Sequence, residues 1–373
     1  MTDLFFELIQ VALGKRERLS RVPTDDEWRY LYRESRRQSV GGVAFTALDV
    51  LSKSGQKPPT ALLYEWMGLS EQVRSQNVLM NKEAARLTNL FEQEGHNTAI
   101  LKGQANARLY PQPLTRQPGD IDLWMDGGKE IVIETAGKLG MITDEIVRFA
   151  MDGDTTISYH HIHLKKNEAG VDVEIHFRPS SGNKNPFTNK RLQKFLEDEI
   201  NRENEKVPEG FRVPSVRFAL VMQLAHIQRH LMSAGIGLRH IIDYYYLLKS
   251  DVNNQRDEVK NRLDSFGLKH MAEALMWVLH EWLGLEEGYL IAQEDERRGR
   301  MLLQSIMDGG NFGRYYHGRQ QGVWQHFFAS NKHRLKMLRF DFKEAFWMEL
   351  DYIITIIKTI PIRIARRSWS LAR

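Results

Sequence analysis

Asp120 and Asp122 stand two residues apart in Gly119-Asp120-Ile121-Asp122-Leu123-Trp124, a stretch that alternates polar and apolar side chains. Alternation of period two marks a half-buried strand, in which residues i and i+2 project to one face. The two carboxylates then lie side by side while Ile121 and Leu123 enter a core. Adjacent carboxylates repel unless a cation lies between them. Oxygen ligands of this kind suit Mg²⁺, which is held by a few carboxylates together with substrate phosphate oxygens. A second strand-like run, Val171-Asp172-Val173-Glu174-Ile175-His176, sets Asp172, Glu174 and His176 in phase. As an antiparallel neighbour of the first strand it brings Glu174 to the aspartate pair. Three carboxylates on two strands can hold two metal ions, one activating an attacking oxygen and one steadying a triphosphate and its leaving group.

Other residues frame this set. The apolar run Thr98-Ala99-Ile100-Leu101 leads into Lys102-Gly103 and then a helical segment that starts at Gln104 and ends before Pro111 and Pro113. A strand–Gly–helix turn presents backbone N–H groups and a helix N-terminus to an anion, and Lys102 adds a point charge. In Tyr159-His160-His161-Ile162-His163, His161 and His163 share a strand face, with His176 on a neighbouring strand. A His-rich zinc site is one reading of that pattern, although it defines no complete ligand set. The other readings are that one of His161, His163 or His176 lines a nucleotide or acceptor pocket, or that they are hydrogen-bonded residues of a strand edge. His226 and His230 are four apart on a helix and share a face. With Arg229 and Arg239-His240 they read as a polar helix face, the alternative being a wall for phosphate or acceptor. Asp243-Tyr244-Tyr245-Tyr246 reads as core with one polar anchor.

The elements that must position these residues follow from periodicity. Residues 1–94 are helical, with Thr24 as N-cap before Asp25, Asp26 and Glu27, a long helix from about Thr60, and Gly95 as its stop. Residues 95–185 form a small α+β core, with strands at 98–101, 119–124, 157–164 and 171–177 and a helix at 128–139. Residues 186–373 are helical again. Gly309 to Phe340 contains no Asp or Glu but many basic and aromatic residues. It reads as packed helix with a solvated face, a single-stranded nucleic-acid surface being the alternative. Tyr352 to Arg373 reads as a helix on the C-terminal lobe with a basic tail, the alternative being an anionic membrane surface.

Taken in chain order, these pieces resemble the nucleotidyltransferase superfold with a DNA polymerase β-like catalytic core. More closely, the chain is similar to the family of bacterial uncharacterised nucleotidyltransferases. The matching motifs are Leu101-Lys102-Gly103, Tyr110-Pro111-Gln112-Pro113, Arg116 ahead of Gly119-Asp120-Ile121-Asp122, Glu174-Ile175-His176-Phe177, and Gly237-Leu238-Arg239-His240-Ile241-Ile242-Asp243. The resemblance implies an α+β fold, a small mixed sheet with helices, flanked by N-terminal and C-terminal helical regions. It implies transfer of a nucleoside monophosphate from an NTP such as ATP to an acceptor hydroxyl or phosphate, with one or two Mg²⁺ ions. Asp120 and Asp122 would be metal ligands and Glu174 the third acid. Lys102, Gly103, Gln104, Arg116 and Gly119 would face the nucleotide. The turn departs from the wider superfold, which has Gly-Gly or Gly-Ser where this chain has Gly103-Gln104. That departure motivates a second reading, a catalytically degenerate protein that binds nucleotide or RNA; a helical interaction protein is a third.

Composition narrows the classes. The chain has 373 residues, a net charge of +4, 42% hydrophobic and 27% charged residues, which is globular composition and only mildly basic. With no cysteine, disulfides, thiolate metal sites and cysteine nucleophiles are excluded. Asp3 and Glu7 interrupt the first apolar run, so the N-terminus reads as an amphipathic helix, not a signal peptide. No run approaches the roughly 18 apolar residues of a membrane span. A cytoplasmic location is the expectation. The acceptor class (small molecule, RNA or protein) stays open at this level.

Overall fold

A computed structural model describes residues 1–142, 160–164, 170–233, 235–251, 253–311 and 333–354. The N-terminal helices are α1 (Thr2–Ala12), α2 (Asp25–Arg37), α3 (Gly41–Lys53) and α4 (Thr60–Gln93). Helix α2 starts at the expected cap: Glu27 N donates to Thr24 Oγ1 (3.4 Å), and Thr24 N donates to the Glu27 carboxylate (2.9 Å). Helix α4 has 34 residues, a rod of about 50 Å. It ends before Gly95, whose φ of +86° is the left-handed conformation that closes a helix.

Helix α4 belongs to both hydrophobic cores. Its first half supplies Leu62 and Trp66 to a core that also contains α1 to α3 and the C-terminal helices. Its second half supplies Met80, Ala84, Leu87 and Phe91, at spacings of four, three and four, to a core under the sheet.

The sheet has four strands in the order β1 (Thr98–Ile100), β2 (Ile121–Met125), β4 (Val173–His176), β3 (His161–His163). Strand β1 is antiparallel to β2, and β3 is antiparallel to β4. The pair β2–β4 is parallel, which corrects the antiparallel pairing expected from sequence. After Met125 the chain enters α6 (Gly128–Lys138), whose Val132, Ile133 and Ala136 pack in the core under the sheet. The next strand in sequence is β3, which is antiparallel to β4, and the reversal from β3 into β4 leaves β4 parallel to β2. The register sets Asp122 beside Glu174 and Trp124 beside His176. Ile121, Leu123, Val173 and Ile175 point into the core under the sheet, while Trp124 joins the other core. Both faces of β2 are covered, and all five of its residues are buried.

The expected helix at Gln104 is a single short turn, α5 (Gln104–Ala107), followed by a 3-10 turn at Pro113–Thr115. Asp172 precedes β4 and is exposed. Part of the strand expected at 157–164 lies outside the described residues. So do 312–332 and 355–373, most of the two basic C-terminal segments.

The C-terminal part contains α7 (Pro186–Arg202), a hairpin of β5 (Asn204–Lys206) and β6 (Arg212–Pro214), α8 (Val216–Ser233), α9 (Leu238–Ser250), α10 (Arg256–Lys260), α11 (Lys269–Leu283) and α12 (Glu296–Gly309). Residues 333–340 and 342–354 are also helical. Among the described residues no helix is long and apolar enough to cross a membrane.

Two glycines report how tightly α3 is pressed on the site's underside. A Cβ on Gly42 would lie 2.4 Å from the Thr115 carbonyl oxygen, whereas one on Gly68 in α4 meets nothing within 4 Å. Gly42→Ala should lower stability by about 1–3 kcal/mol through overpacking against backbone. Gly68→Ala should raise it by up to about 1 kcal/mol through helix propensity. Thermal melting of the two variants checks the contrast in sign.

Candidate active site

The strand–turn–helix at Lys102-Gly103 requires its glycine, which is in the left-handed region (φ +63°) and caps α5. A Cβ there would also meet Asp120 O at 3.4 Å. The turn carries Lys102 over the acids: its Nζ is 2.8 Å from Asp122 Oδ2 and 3.9 Å from Asp120 Oδ1. Burial works against the lysine's charge, but Asp122, Asp120 and Glu174 outweigh it, and its pKa is raised.

Asp122 is the centre of the arrangement. Its side chain is 1% exposed, against 39% for Asp120. Oδ2 faces Lys102 while Oδ1 is 3.1 Å from His176 Nε2. Burial disfavours its charge, yet Lys102 and His176 together keep it well below the usual carboxylate range. Asp120 shifts the other way, raised mainly by the charge of Asp122. The two acids of the D-x-D motif are therefore inequivalent, one buried and fixed, the other more exposed.

Glu174 lies beyond His176. Its Oε2 is 3.3 Å from His176 Nε2, so that one ring nitrogen bridges Asp122 and Glu174. Burial opposes a charge on His176, but these two carboxylates raise its pKa. Glu174 also meets His161 Nδ1 at 3.2 Å and His163 Nε2 at 3.4 Å. Burial lowers the pKa of His161 to about 4, so its ring is neutral near pH 7. Asp122, Glu174 and His176 offer ligand atoms within 4.8 Å of one another; Asp120 is in no such group among the described residues. Asp122 and Glu174 offer oxygen donors of the kind that suits a hard divalent cation, and Asp120 lines the same pocket as Asp122.

A pocket opens on the other side of the aspartates. Lys102, Gly103, Gly119, Asp120 and Asp122 line it from the sheet, and Gln223, Arg239 and His240 from α8 and α9. Arg239 Nη1 donates to Gln117 O and Pro118 O, both at 3.1 Å. Burial, and then neighbouring Arg116, lowers the Arg239 pKa to about 10, so it is still a cation at neutral pH. His240 is buried and His226 half-buried, and both are pushed well below the usual histidine range, first by desolvation. This helix pair therefore faces the acids with one guanidinium and neutral rings.

Two residues expected to face the nucleotide have other partners. Arg116 Nε and Nη2 donate to Asp243 Oδ1 and Oδ2, each at 2.7 Å, and Tyr110 Oη donates to Oδ1 at 2.7 Å. The guanidinium is 5% exposed and Asp243 is 1% exposed. Arg116 thus lines the pocket as half of a closed ion pair, and Asp243 is the polar anchor expected in the tyrosine run. Gln104 Nε2 donates to Asn81 Oδ1 (2.8 Å) and Asn77 Oδ1 (3.2 Å), which ties the turn to α4.

Gln223 was not singled out by sequence reasoning. It is a buried glutamine in an otherwise apolar helix stretch, Phe218 to Ala225, and that mismatch is its only local signal. Its Nε2 is buried without a hydrogen-bond partner while the side chain lines the pocket.

No curated protein and no solved structure matches the chain. A model of the uncharacterised nucleotidyltransferase family matches residues 24–284, which takes in α2 to α4, the sheet, and the helices that close the pocket. The chain belongs to the uncharacterised nucleotidyltransferase family.

Proposed function

We propose that the protein is a Mg²⁺-dependent nucleotidyltransferase that moves a nucleoside monophosphate from an NTP to an acceptor hydroxyl or phosphate in the cytoplasm. The observation that carries this reading is the meeting of Lys102, Asp120 and Asp122 in one pocket, with Glu174 in register beside Asp122. Asp120, Asp122 and Glu174 would hold the metal. When bound, it would supply charge neutralisation for the phosphates and lower the pKa of an attacking hydroxyl. The protein's own contribution is positional. Lys102 keeps Asp122 ionised, and His176 ties Asp122 to Glu174. Arg239, Gln223 and His240 present donors opposite the acids, where a phosphate chain is favoured. The acceptor is a small hydroxylated molecule, an RNA end or a protein side chain.

A second reading has its own support. Lys102 and His176 already neutralise Asp122, and Gln104, which replaces the second small residue of the superfold's turn, is engaged by Asn77 and Asn81. A protein that binds nucleotide or RNA without turnover would tolerate both features.

Thermal melting with ATP, GTP, CTP and UTP, each with and without Mg²⁺, separates them. A ligand at 100 times its dissociation constant stabilises by about 2.7 kcal/mol. The transferase reading expects a Mg²⁺-dependent rise with at least one nucleotide, lost in Asp120→Ala. A rise independent of Mg²⁺ and of Asp120 supports the binding protein. No rise with any nucleotide counts against both.

A further inference from the structure

Four imidazoles and a carboxylate crowd the β3–β4 edge, more nitrogen donors than a site for Mg²⁺ calls for. His161 Nδ1 faces His160 Nε2 at 3.0 Å and Glu174 Oε2 at 3.2 Å. Its other nitrogen, Nε2, faces His163 Nε2 at 3.0 Å, and His163 Nε2 is 3.4 Å from Glu174 Oε1. Donor atoms of His161, His163 and Glu174 all lie within 4.8 Å of one another. Ligand atoms about 2.0–2.1 Å from a tetrahedral zinc ion are roughly 3.3 Å apart, so the observed 3.0 and 3.4 Å contacts are close to the edges such an ion imposes.

The geometry points to a second metal site, for a zinc-class divalent ion, held by His161 Nε2, His163 Nε2 and Glu174 Oε1. Imidazole nitrogen with one carboxylate is a ligand set for late first-row ions and a poor one for Mg²⁺. Two imidazoles and a glutamate leave a fourth position open, as in catalytic zinc sites. The supporting shell is present. His160 and Glu174 Oε2 lie at His161 Nδ1, His161 Nε2 faces His163, and His176 holds the far side of Glu174. There is also a way in, because the His163 side chain is 66% exposed while His161 is 11% exposed. The ion would join β3 to β4 and fix the glutamate that stands in register with Asp122. The site shares Glu174 with the carboxylate set proposed for Mg²⁺ and differs from it in its other ligands, and it does not depend on nucleotidyl transfer being the activity.

The test is calorimetric titration of the untagged, metal-free full chain with Zn²⁺ alone, without nucleotide or Mg²⁺. The expected result is one equivalent bound at micromolar or tighter dissociation constant. His163→Ala, at an exposed position that leaves the fold unaltered, should weaken it by at least about tenfold. Asp120→Asn should bind Zn²⁺ as the wild type does, while losing any Mg²⁺-nucleotide response. His280→Ala, in the remote group His280, Glu281 and Glu294, should also leave binding unchanged. No Zn²⁺ binding, or binding indifferent to His163→Ala, overturns the inference and leaves the transferase reading untouched.

Discussion

Asp122→Asn should abolish nucleotidyl transfer and also destabilise the protein, whereas Asp120→Asn should abolish transfer at little cost in stability. The activity loss expected for either is about 10³-fold or more, because a metal-holding carboxylate contributes several kcal/mol of transition-state stabilisation. The stability effects differ because the environments differ. Asp122 is 1% exposed and lies between Lys102 Nζ at 2.8 Å and His176 Nε2 at 3.1 Å. Removing its charge leaves Lys102, a half-buried lysine with 17% of its side chain exposed, without its nearest counter-ion, a change that costs up to about 3–5 kcal/mol. Asp120 is 39% exposed and 3.9 Å from the lysine, so screening reduces what its loss costs to about 1 kcal/mol or less. Melting temperatures and single-turnover rates on the same two preparations check the claim. Equal destabilisation by both substitutions would show that Lys102 does not depend on Asp122. Full activity in either would remove the transferase reading.

Legibility of this site in the sequence follows the range of the interactions. Asp120 and Asp122 are readable because period-two alternation around Ile121 and Leu123 is local, and the strand that carries Glu174 is readable for the same reason. The direction of that strand is not, because it depends on β3, which precedes it in sequence and pairs antiparallel with it, leaving β4 parallel to β2. The cap at Thr24, the stop at Gly95 and the span of α4 are also local, and the structure has them where the residues imply. Arg116 is the residue whose surroundings the sequence hides. The resemblance sets it toward the nucleotide, and it lines the pocket, but its partner Asp243 is 127 residues further on. No spacing rule links the two. Gln104 likewise follows the turn glycine, yet its partners Asn77 and Asn81 are on a helix 27 and 23 residues earlier. The crowding of His161, His163 and Glu174 emerges only once β3 and β4 are paired, since it depends on the cross-strand register of His163 with Glu174.

The Arg116–Asp243 pair should be worth more to the fold than to substrate binding. Both side chains are almost completely buried, and Arg116 makes two parallel 2.7 Å bonds to the carboxylate that also accepts from Tyr110. Asn77 Nδ2 donates to the carbonyls of Leu114 and Arg116, so the segment before the D-x-D strand is held from both sides. Asp243→Asn leaves a buried guanidinium without a counter-ion and should cost about 3–5 kcal/mol. Arg116→Lys should also destabilise, because a point charge cannot reproduce the forked geometry. The double replacement Arg116→Met with Asp243→Leu should recover most of the loss, since well-packed apolar residues often replace a buried pair at little net cost. A double-mutant cycle by chemical denaturation measures this, with a coupling of about 3 kcal/mol expected between the two positions. Additive single effects would mean that the pair is not the interaction lost. The functional corollary separates structure from recognition. If Arg116 acts through Asp243 alone, the double replacement keeps the Mg²⁺-dependent nucleotide shift in melting temperature, and Arg239→Ala, on the opposite wall, loses it. If the guanidinium of Arg116 turns to the phosphates when nucleotide binds, the double replacement recovers stability but loses the nucleotide shift.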